Sequence, residues 1–376
     1  MQNKFLDIFD GVSIGTEETD HVREGMASYI LHRKFGTPME GSAREFVGQT
    51  WFDMGRHCLE MGGSTTRGVD RLTLASRMLM QRDATGALGQ SHFPLLVAAV
   101  VNKALSRGYG LARILYPIFS AKRVAPDLKA LREIYVDSAT DLAAVNEFGD
   151  YTYATMSEGQ EIWYIARRGK IIKLTPELII NDDLDAVTQV PLRLGESSGR
   201  TREKLFWSRV QAATAMADGD PVYHANHNNL LASGAAPSWT QIAAMRAKSW
   251  QQTDRSGELI EIELDRFAFP SALEGSVAQL WSEITPQQAT NAVPEELKRS
   301  QRHIAPRLDA TSTTAYYGFA NPEIHPAFKH GELEGRAGPT ITEALDFDSG
   351  CLKFLCEDYF GVGATDHRPT VKNPGA

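Results

Sequence analysis

Cysteine is scarce in this sequence, and its scarcity argues against two kinds of small-domain architecture. The 376 residues include only three cysteines, Cys58, Cys351 and Cys356. An odd number without metal-ligand spacing argues against both a disulfide framework and a structural zinc site. Cys351 and Cys356 lie five residues apart in a strand pattern, so their side chains point to opposite faces and do not pair. We therefore expect buried thiols in a protein of a reducing compartment.

Long apolar runs and an excess of basic charge are also missing. The longest apolar run, Leu95–Val101, is far shorter than a bilayer span, and the first residues lack a basic segment followed by an apolar stretch. These absences predict a soluble protein without a recognisable secretion signal. The formal net charge of -8 argues against a free nucleic-acid binder, whose affinity would come from neutralising phosphates.

The sequence does contain a mixture of helical and strand patterns. Hydrophobic residues make up 42% and charged residues 23%, which is ordinary for a folded chain that can bury a sizeable core. Residues 1–91 carry apolar residues at helical spacing, interrupted by glycine and polar breaks, and predict an extended helical arm with little core of its own. The glycine-bearing stretch 81–91 is typical of a linker, and the segment HFPLLVAAVVNKALSRGYG that follows predicts a strong helix.

The middle of the chain predicts a β-hairpin followed by a long helix. Residues 131–174 are short, charged and alternating, and SEGQ at 157–160 has the composition of a turn between two strands. Pro191 fits best in the first turn of a helix that continues through GRTREKLFWSRVQAATAMADG. Beyond Asp218 helices and strands alternate without an internal repeat, which predicts an α+β fold.

The pentapeptide GESSG, residues 195–199, matches the G-x-S-x-G pattern that exposes a nucleophilic serine between a strand and a helix. That arrangement needs a strand that ends at Gly195, but Pro191 lies in the preceding run and argues against a central strand. We interpret Ser197 as part of a helix surface softened by two glycines, and we predict no catalytic residue.

Three polar clusters each allow a structural interpretation and a functional one. His224 and His227 have a spacing that suits a metal ion on a helix, but their neighbours indicate a polar loop and no third ligand is nearby in the sequence. The aspartates of NDDLD suit helix N-termini better than a cation site. Arg167, Arg168 and Lys170 form either a solvated turn or an intersubunit electrostatic contact. We predict no metal and no cofactor.

Several segments, taken in order, resemble one family of proteins. They are HFPLLVAAVVNKALSRGYG, LIINDDL, ADGDPVYHANHNNL, LEGRAGPTI, and a terminal GVGA followed by KNPGA. Over residues 92–376 this order is similar to the Mu-like major head subunit family, the gpT-type major capsid proteins of phages. In that family the capsid part is often fused behind a ClpP-like or other prohead protease. The segment TWFDMGRHCLEMGGSTTRGVDRLTLASR resembles the connection between the two, and we expect no protease within this chain.

The resemblance implies the HK97-like major capsid protein fold, named after bacteriophage Hong Kong 97. The implied division is an N-terminal arm at 1–91, a peripheral domain with a spine helix at 92–131 and 175–234, an extended β-hairpin loop at 132–174, a mainly axial domain at 235–345, and a return to the peripheral domain with a C-terminal tail at 346–376.

The resemblance also implies a function: the major capsid protein of a tailed bacteriophage or prophage. Copies would assemble into the hexamers and pentamers of an icosahedral shell around double-stranded DNA, without sequence-specific binding and without a membrane. Implied partners are a portal, a scaffold or prohead protease, and a decoration protein. The implied location is the virion capsid, assembled in the bacterial host cytoplasm. The alternatives are the shell of a gene-transfer agent or of an encapsulin-like compartment, and a serine hydrolase that uses Ser197.

A shell subunit needs complementary, repeatedly used surfaces rather than catalytic residues. An arm and a hairpin that bury little by themselves are expected to gain apolar contacts from neighbouring subunits. The candidate contact residues are Trp51, Phe52, Ile162, Trp163, Tyr164, Arg167, Arg168 and Lys170.

Overall fold

Helices and sheets both contribute to the structure, which confirms the predicted α+β class. The computed structural model describes residues 17–80, 92–136, 158–175, 184–254, 257–282, 299–346 and 351–376. Packing divides the chain into two compact units. Unit 1 comprises Met1–Arg113, Arg168–Gly199 and Gly338–Asp358, and unit 2 comprises Ile114–Arg167, Arg200–Ala337 and Tyr359–Ala376. Within the described ranges, no helix is both long enough and apolar enough to cross a bilayer.

Unit 1 is mainly helical, and local side chains set where its helices begin. Thr50 and Asp53 form a reciprocal capping box, in which each backbone N–H donates to the other side chain at 3.2 Å. Asp70 Oδ2 accepts a hydrogen bond from the Thr73 N–H at 3.0 Å at the start of the next helix. The helices are α1 (Glu17–Phe35), α2 (Trp51–Met61), α3 (Arg71–Met80), α4 (His92–Leu111) and the first part of α6 (Leu184–Gln211).

Helices α1–α4 share one apolar core, so the expectation that residues 1–91 have little core of their own is wrong. Trp51 and Phe93 pack edge to face with ring centroids 5.4 Å apart. The core forms because apolar residues of all four helices meet. Its largest contributors are Met26, Tyr29, Ile30, Phe46, Trp51, Phe52, Met54, Leu59, Leu74, Met78, Phe93, Leu96, Val97 and Val100.

Three strands complete unit 1. β9 (Thr340–Asp346) pairs antiparallel with the first part of β10 (Cys351–Ala364), and β4 (Ala166–Leu174) also pairs with β10. Cys351 and Cys356 are buried on β10, and Cys58 is buried in the helical core. The prediction of buried thiols, not joined in a disulfide, is confirmed.

Unit 2 contains three groups of strands. β1 (Ala121–Ala125) runs parallel to β8 (Phe328–Leu333), and β8 pairs antiparallel with the last part of β10. β2 (Leu131–Val136) and β3 (Glu158–Trp163) form an antiparallel two-stranded ribbon. A four-stranded sheet contains, in spatial order, β11 (Thr370–Asn373), β7 (Tyr316–Ala320), β5 (Leu264–Phe269) and β6 (Gln301–Ile304).

The helices of unit 2 pack on these strands through aromatic side chains. They are α5 (Tyr116–Phe119), the last part of α6, α7 (Trp239–Trp250) and α8 (Glu274–Ser282). Ser238 caps α7 by accepting a hydrogen bond from the Gln241 N–H at 3.3 Å. The predicted alternation of helices and strands beyond Asp218 is confirmed, since α7, β5, α8, β6 and β7 follow one another along the chain.

Two local predictions are wrong, and other predicted features lie outside the described residues. Helix α6 begins at Leu184, so Pro191 lies inside it rather than in its first turn. The predicted turn at 157–160 is mostly strand, because Glu158–Gln160 pair with β2 and cross-strand pairing overrides local turn propensity. The linker at 81–91 and the adjacent aspartates at 182–183 lie outside the described ranges.

Within unit 1, α4 and the first part of α6 approach so closely that glycine is required at two positions. A Cβ on Gly195 would overlap the carbonyl oxygen of Leu105, and one on Gly108 would overlap the carbonyl oxygen of Leu192. Backbone-to-backbone contact of this kind excludes any side chain. The first glycine of GESSG therefore allows two helices to touch.

We expect Gly195→Ala to lower the free energy of unfolding by about 1–3 kcal/mol, because the added methyl group displaces the backbone of α4. Gly110→Ala is the matched control, since Gly110 lies in α4 with open space around it and should tolerate alanine with a gain of up to about 1 kcal/mol. Urea unfolding followed by circular dichroism measures both. If the two variants are equally stable, the close helix contact is contradicted.

Candidate interaction surface

Ser197 lies within helix α6, so the strand-to-helix turn that activates a serine nucleophile is not present at this position. A serine–histidine contact does occur in unit 2, where Ser120 Oγ and His330 Nδ1 are 2.8 Å apart. Ser120 Oγ, however, donates its proton to the Tyr116 carbonyl oxygen at 2.7 Å. His330 is therefore the donor to Ser120 and does not act as its base.

His330 is held as a neutral imidazole inside unit 2. Its pKa is lowered to about 4, mainly because of burial; Glu332 on the same strand opposes this effect, and the positive charges of Lys122 and Arg202 add to it. The ring packs edge to face against Tyr116, with centroids 4.9 Å apart. His330 thus contributes a hydrogen bond and an aromatic contact, and its role is structural.

A buried ion pair on α6 and β8 was not predicted from the sequence. Arg202 is 1% exposed and pairs with Glu332, which also pairs with Lys122 at 2.6 Å. Burial alone raises the pKa of Glu332, but the two cations outweigh burial and hold that pKa below its usual value. The guanidinium of Arg202 also lies over the Phe360 ring, 4.8 Å from its centroid. Arg202, Glu332 and Lys122 come from three separate segments of the chain, so spacing along the sequence could not predict this ion pair.

Glu203, the next residue of α6, satisfies the beginning of helix α5. Its carboxylate accepts hydrogen bonds from the backbone N–H groups of Leu115 at 2.8 Å and Tyr116 at 3.1 Å. It also accepts one from the indole Nε1 of Trp207 at 2.6 Å. The last part of α6 therefore supplies fixed polar groups to unit 2 as well as apolar ones.

Three of the predicted contact residues are buried within the chain itself. Trp51 and Phe52 belong to the core of unit 1, and Trp163 is 5% exposed in unit 2. Their expected role as contacts between subunits is wrong for the folded chain. Each of these rings lies in a segment with few other apolar residues, which predicted that the rings would be exposed. In the structure several such segments pack together and bury them.

The two-stranded ribbon has one exposed face and one buried face. The pairing of Arg132 with Ile162 and of Ile134 with Gln160 places these four side chains on the same face. All four are exposed, Ile134 at 63% and Ile162 at 48%. We call this face, defined by Arg132, Ile134, Gln160 and Ile162, the ribbon face. Ile134 was not among the predicted contact residues, although the alternation in LREIYV contains the signal.

The opposite face of the ribbon is fixed to unit 2 by charge and packing. Glu133 accepts a hydrogen bond from Lys329 Nζ at 2.6 Å, and Glu161 accepts one from the Ala217 N–H at 2.9 Å. The Trp163 ring lies against Gly331 and Gly363, where any Cβ would come within 2.7 Å of the ring or overlap it. The two glycines thus create the space that Trp163 fills, which gives the terminal GVGA segment a structural role.

The remaining predicted contact residues follow the ribbon along the chain. Tyr164 is 63% exposed, and on β4 Arg167 and Lys170 are exposed while Arg168 is half-buried. The structure places them within seven consecutive positions of one connected segment, 164–170. They keep their predicted role as contact candidates, together with Ile162.

Comparison with known proteins gives one family match and several distant structural similarities. The family model described as phage capsid protein matches residues 159–373, more than half of the chain. No curated protein matches the sequence. The capsid of Ralstonia phage GP4 is similar at 10% identity and a TM-score of 0.47, with 70% of this chain and 92% of that chain covered.

Two further solved structures are similar at comparable levels. The capsid of a native GTA particle has 13% identity and a TM-score of 0.46, covering 68% of this chain and 88% of that chain. A virus-like particle from Pyrococcus furiosus has 12% identity and a TM-score of 0.40, covering 72% and 96%. All three TM-scores are below 0.5, so the family match alone carries the assignment.

We expect Trp163→Ala to lower the free energy of unfolding by about 3–5 kcal/mol, because it leaves a cavity against Gly331 and Gly363. The neighbouring Tyr164→Ala is the control, since this side chain is exposed and its loss should change stability by about 0.5 kcal/mol or less. Denaturant unfolding of the unassembled chain measures both. A small effect at Trp163 would contradict its role in fixing the ribbon.

The buried imidazole of His330 predicts a pH dependence of stability. Its folded-state pKa of about 4 lies below the ordinary value of 6.5, so the unfolded chain binds more protons between these values. Stability is therefore lost as the pH falls from about 6.5 to about 4, by up to about 1.4 kcal/mol per pH unit. The free energy of unfolding should fall more steeply in the wild type than in His330→Asn, and parallel pH profiles would contradict this assignment.

Proposed function

Since this chain belongs to the phage capsid protein family, we propose that it is the major head subunit of a tailed bacteriophage. Copies of the chain form the hexamers and pentamers of an icosahedral shell that encloses double-stranded DNA. The family consists of structural capsid proteins and not of enzymes, in agreement with the position of Ser197 inside a helix. The observation that supports this proposal most directly is the family match over residues 159–373, which runs from β3 to β11.

The ribbon face supports a role in subunit contact. A closed shell is built from heterologous contacts, in which one surface of each subunit meets a different surface of the next. Ile134 and Ile162 expose apolar area on a ribbon whose other face is fixed by Glu133, Glu161 and Trp163. A rigid support reduces the conformational entropy that contact costs. We propose that a neighbouring copy covers the ribbon face.

The basic residues on β4 add an electrostatic part to this proposal. Arg167 and Lys170 are exposed and Arg168 is half-buried, in a chain of net charge -8. A neighbouring copy of this acidic chain therefore offers acidic side chains to these basic residues. Charge pairing across a contact determines how the two copies are aligned more than how tightly they bind. We propose that these three residues pair with acidic side chains of an adjacent subunit.

The finer features of the proposal follow the resemblance to the Mu-like, gpT-type family. They are the HK97-like division into arm, extended loop, peripheral and axial domains, assembly in the bacterial host cytoplasm, and partners that include a portal, a scaffold or prohead protease, and a decoration protein. The negative net charge suits a shell that encloses DNA without binding it tightly, because phosphates are repelled by an acidic surface.

Assembly of the protein, expressed alone and with its neighbouring genes, tests the proposal by electron microscopy and light scattering. We expect shells, or stable pentamers and hexamers, from the wild type. The double variant Ile134→Asp/Ile162→Asp should remain a folded but unassembled chain, because two carboxylates would be desolvated in the contact. Circular dichroism establishes that the variant is folded.

The matched control is Ile134→Val/Ile162→Val, which keeps the ribbon face apolar and should assemble like the wild type. Normal shells from the aspartate variant would contradict the contact at the ribbon face. Normal shells after reversing the charges of Arg167, Arg168 and Lys170 would contradict the ionic contact. A wild-type monomer or dimer under both expression conditions would contradict the proposed function itself.

A further inference from the structure

Two histidines and an aspartate from three separate segments meet in unit 2. Asp218 lies in the turn that follows α6, His227 in the HANHNN loop, and His367 in the connection from β10 to β11. One ligand atom from each residue lies within 4.8 Å of the others. Imidazole nitrogens with a carboxylate oxygen are a donor set that binds divalent transition-metal ions. The assembly proposal assigns no role to this cluster.

The His227 ring is oriented by an acceptor on each side. His227 is 6% exposed, its Nδ1 lies 3.0 Å from the Val222 carbonyl oxygen, and its Nε2 lies 2.8 Å from Asp218 Oδ2. The carbonyl can only accept, so Nδ1 carries the proton. The second ring nitrogen, Nε2, is then directed at the carboxylate of Asp218, which only accepts. A cation between Nε2 and Asp218 satisfies both groups.

Asp218 is aimed at this position by its own turn. Its Oδ1 accepts a hydrogen bond from the Asp220 N–H at 3.0 Å, which leaves Oδ2 directed at His227. The turn is closed by hydrogen bonds from the N–H groups of Met216 to the Asp220 carbonyl oxygen at 2.8 Å and of Gly219 to the Met216 carbonyl oxygen at 3.0 Å. The carboxylate is thus partly positioned in advance, yet at 44% exposure it can still rotate.

His367 supplies the second imidazole of the cluster. Its ring stacks on His227, with centroids 3.9 Å apart and planes inclined by 15°. Its ligand nitrogen lies within 4.8 Å of the ligand atoms of Asp218 and His227.

A buried asparagine ties the two histidine segments together. Asn229 is fully buried, and its Nδ2 donates to the Val222 carbonyl oxygen at 2.7 Å and to the His367 carbonyl oxygen at 2.9 Å. Val222 is the residue whose carbonyl also orients His227. In addition, Gln252 Nε2 donates to the His227 carbonyl oxygen at 3.0 Å. Such hydrogen bonds to the ligand-bearing segments are what orients the ligands of known metal sites.

The surrounding charge also favours a cation. Burial raises the pKa of Glu161, and the negative charges of Asp218 and Asp366 raise it further, which shows that three carboxyl groups share this region. Arg209 opposes them near Glu161, and Arg368 pairs with Asp366 at 3.0 Å. A divalent ion at Asp218 would reduce the remaining repulsion between the carboxylates.

We propose that Asp218, His227 and His367 bind one divalent transition-metal ion of the zinc class. Bonds of about 2.0–2.1 Å to a tetrahedral ion put ligand atoms about 3.3 Å apart, a separation close to that of the observed ligand atoms, which lie within 4.8 Å of one another. Three protein ligands leave a fourth position for water. The ion links three loops of unit 2 and stabilises them, and it does so whether or not the chain forms a shell.

Zinc binding to the unassembled, tag-free full chain tests the proposal after treatment with a chelator and dialysis. We expect calorimetric titration with ZnCl2 to show one saturable site per chain, and Co2+ to give the visible absorption of a tetrahedral site. Zinc should also raise the midpoint of thermal unfolding, because the ion binds the folded state. Asp218→Asn and His367→Gln should each weaken Zn2+ binding at least tenfold.

His224→Ala is the matched control, since this histidine lies in the same loop, is only half-buried, and has its ring centroid 6.2 Å from that of His227. It should bind Zn2+ like the wild type. If His367→Gln does not fold, Asp218→Asn decides, because its side chain is partly exposed and the substitution keeps its size. No saturable site in the wild type, or equal binding by the wild type and Asp218→Asn, would overturn the proposal, and the cluster would then be a hydrogen-bonded contact between His227 and Asp218.

Discussion

The contact between Trp163 and two glycines of the neighbouring strands is the constraint on which the ribbon depends. A two-stranded ribbon is marginally stable by itself. Trp163 fills the space that Gly331 and Gly363 leave open, and Gly361 lets the backbone at Tyr164 come equally close. With one face held in this way, strand alternation forces Ile134 and Ile162 to the other face. The exposed apolar surface is therefore a consequence of the buried tryptophan.

The buried ion pair between Arg202 and Glu332 determines how helix α6 packs in unit 2. Arg202 and Glu332 are both buried when the chain folds. The free energy needed to desolvate the two ions offsets much of their electrostatic attraction, so the pair contributes little to stability. Each charge nevertheless needs its partner, because an unpaired buried ion is far more costly than a lost surface contact. Tyr116 accepts a hydrogen bond from Arg202 and Phe360 lies under its guanidinium, while Glu203 accepts a hydrogen bond from the Tyr116 N–H. These contacts fix how α6 meets β8 and α5.

A capsid protein has to present surfaces that are repeated accurately from copy to copy, and the chemistry of this chain is directed to that end. Ser120 and His330, for example, are used in packing and hydrogen bonding rather than as an activated pair. Loops of unit 2 are also joined by hydrogen bonds, and the Asn229 side chain donates to carbonyl oxygens of two of them. Loops held so firmly lose little conformational entropy when a contact forms on them.

The sequence by itself determined the α+β class, the position of most helices and strands, the buried thiols, the rejection of GESSG as a nucleophile motif and the resemblance to phage head subunits. Those conclusions depend on local periodicity or on short motifs, which a chain carries without reference to its partners in space. Long-range packing decided the rest: Trp51 and Phe52 are buried because four helices meet around them, and Glu158–Gln160 are strand because β2 pairs with them. His367 joins Asp218 and His227 only through the connection from β10 to β11, and no spacing rule links residues so far apart in the chain. Contacts between distant segments are a property of the folded backbone, and only the tertiary structure could decide them.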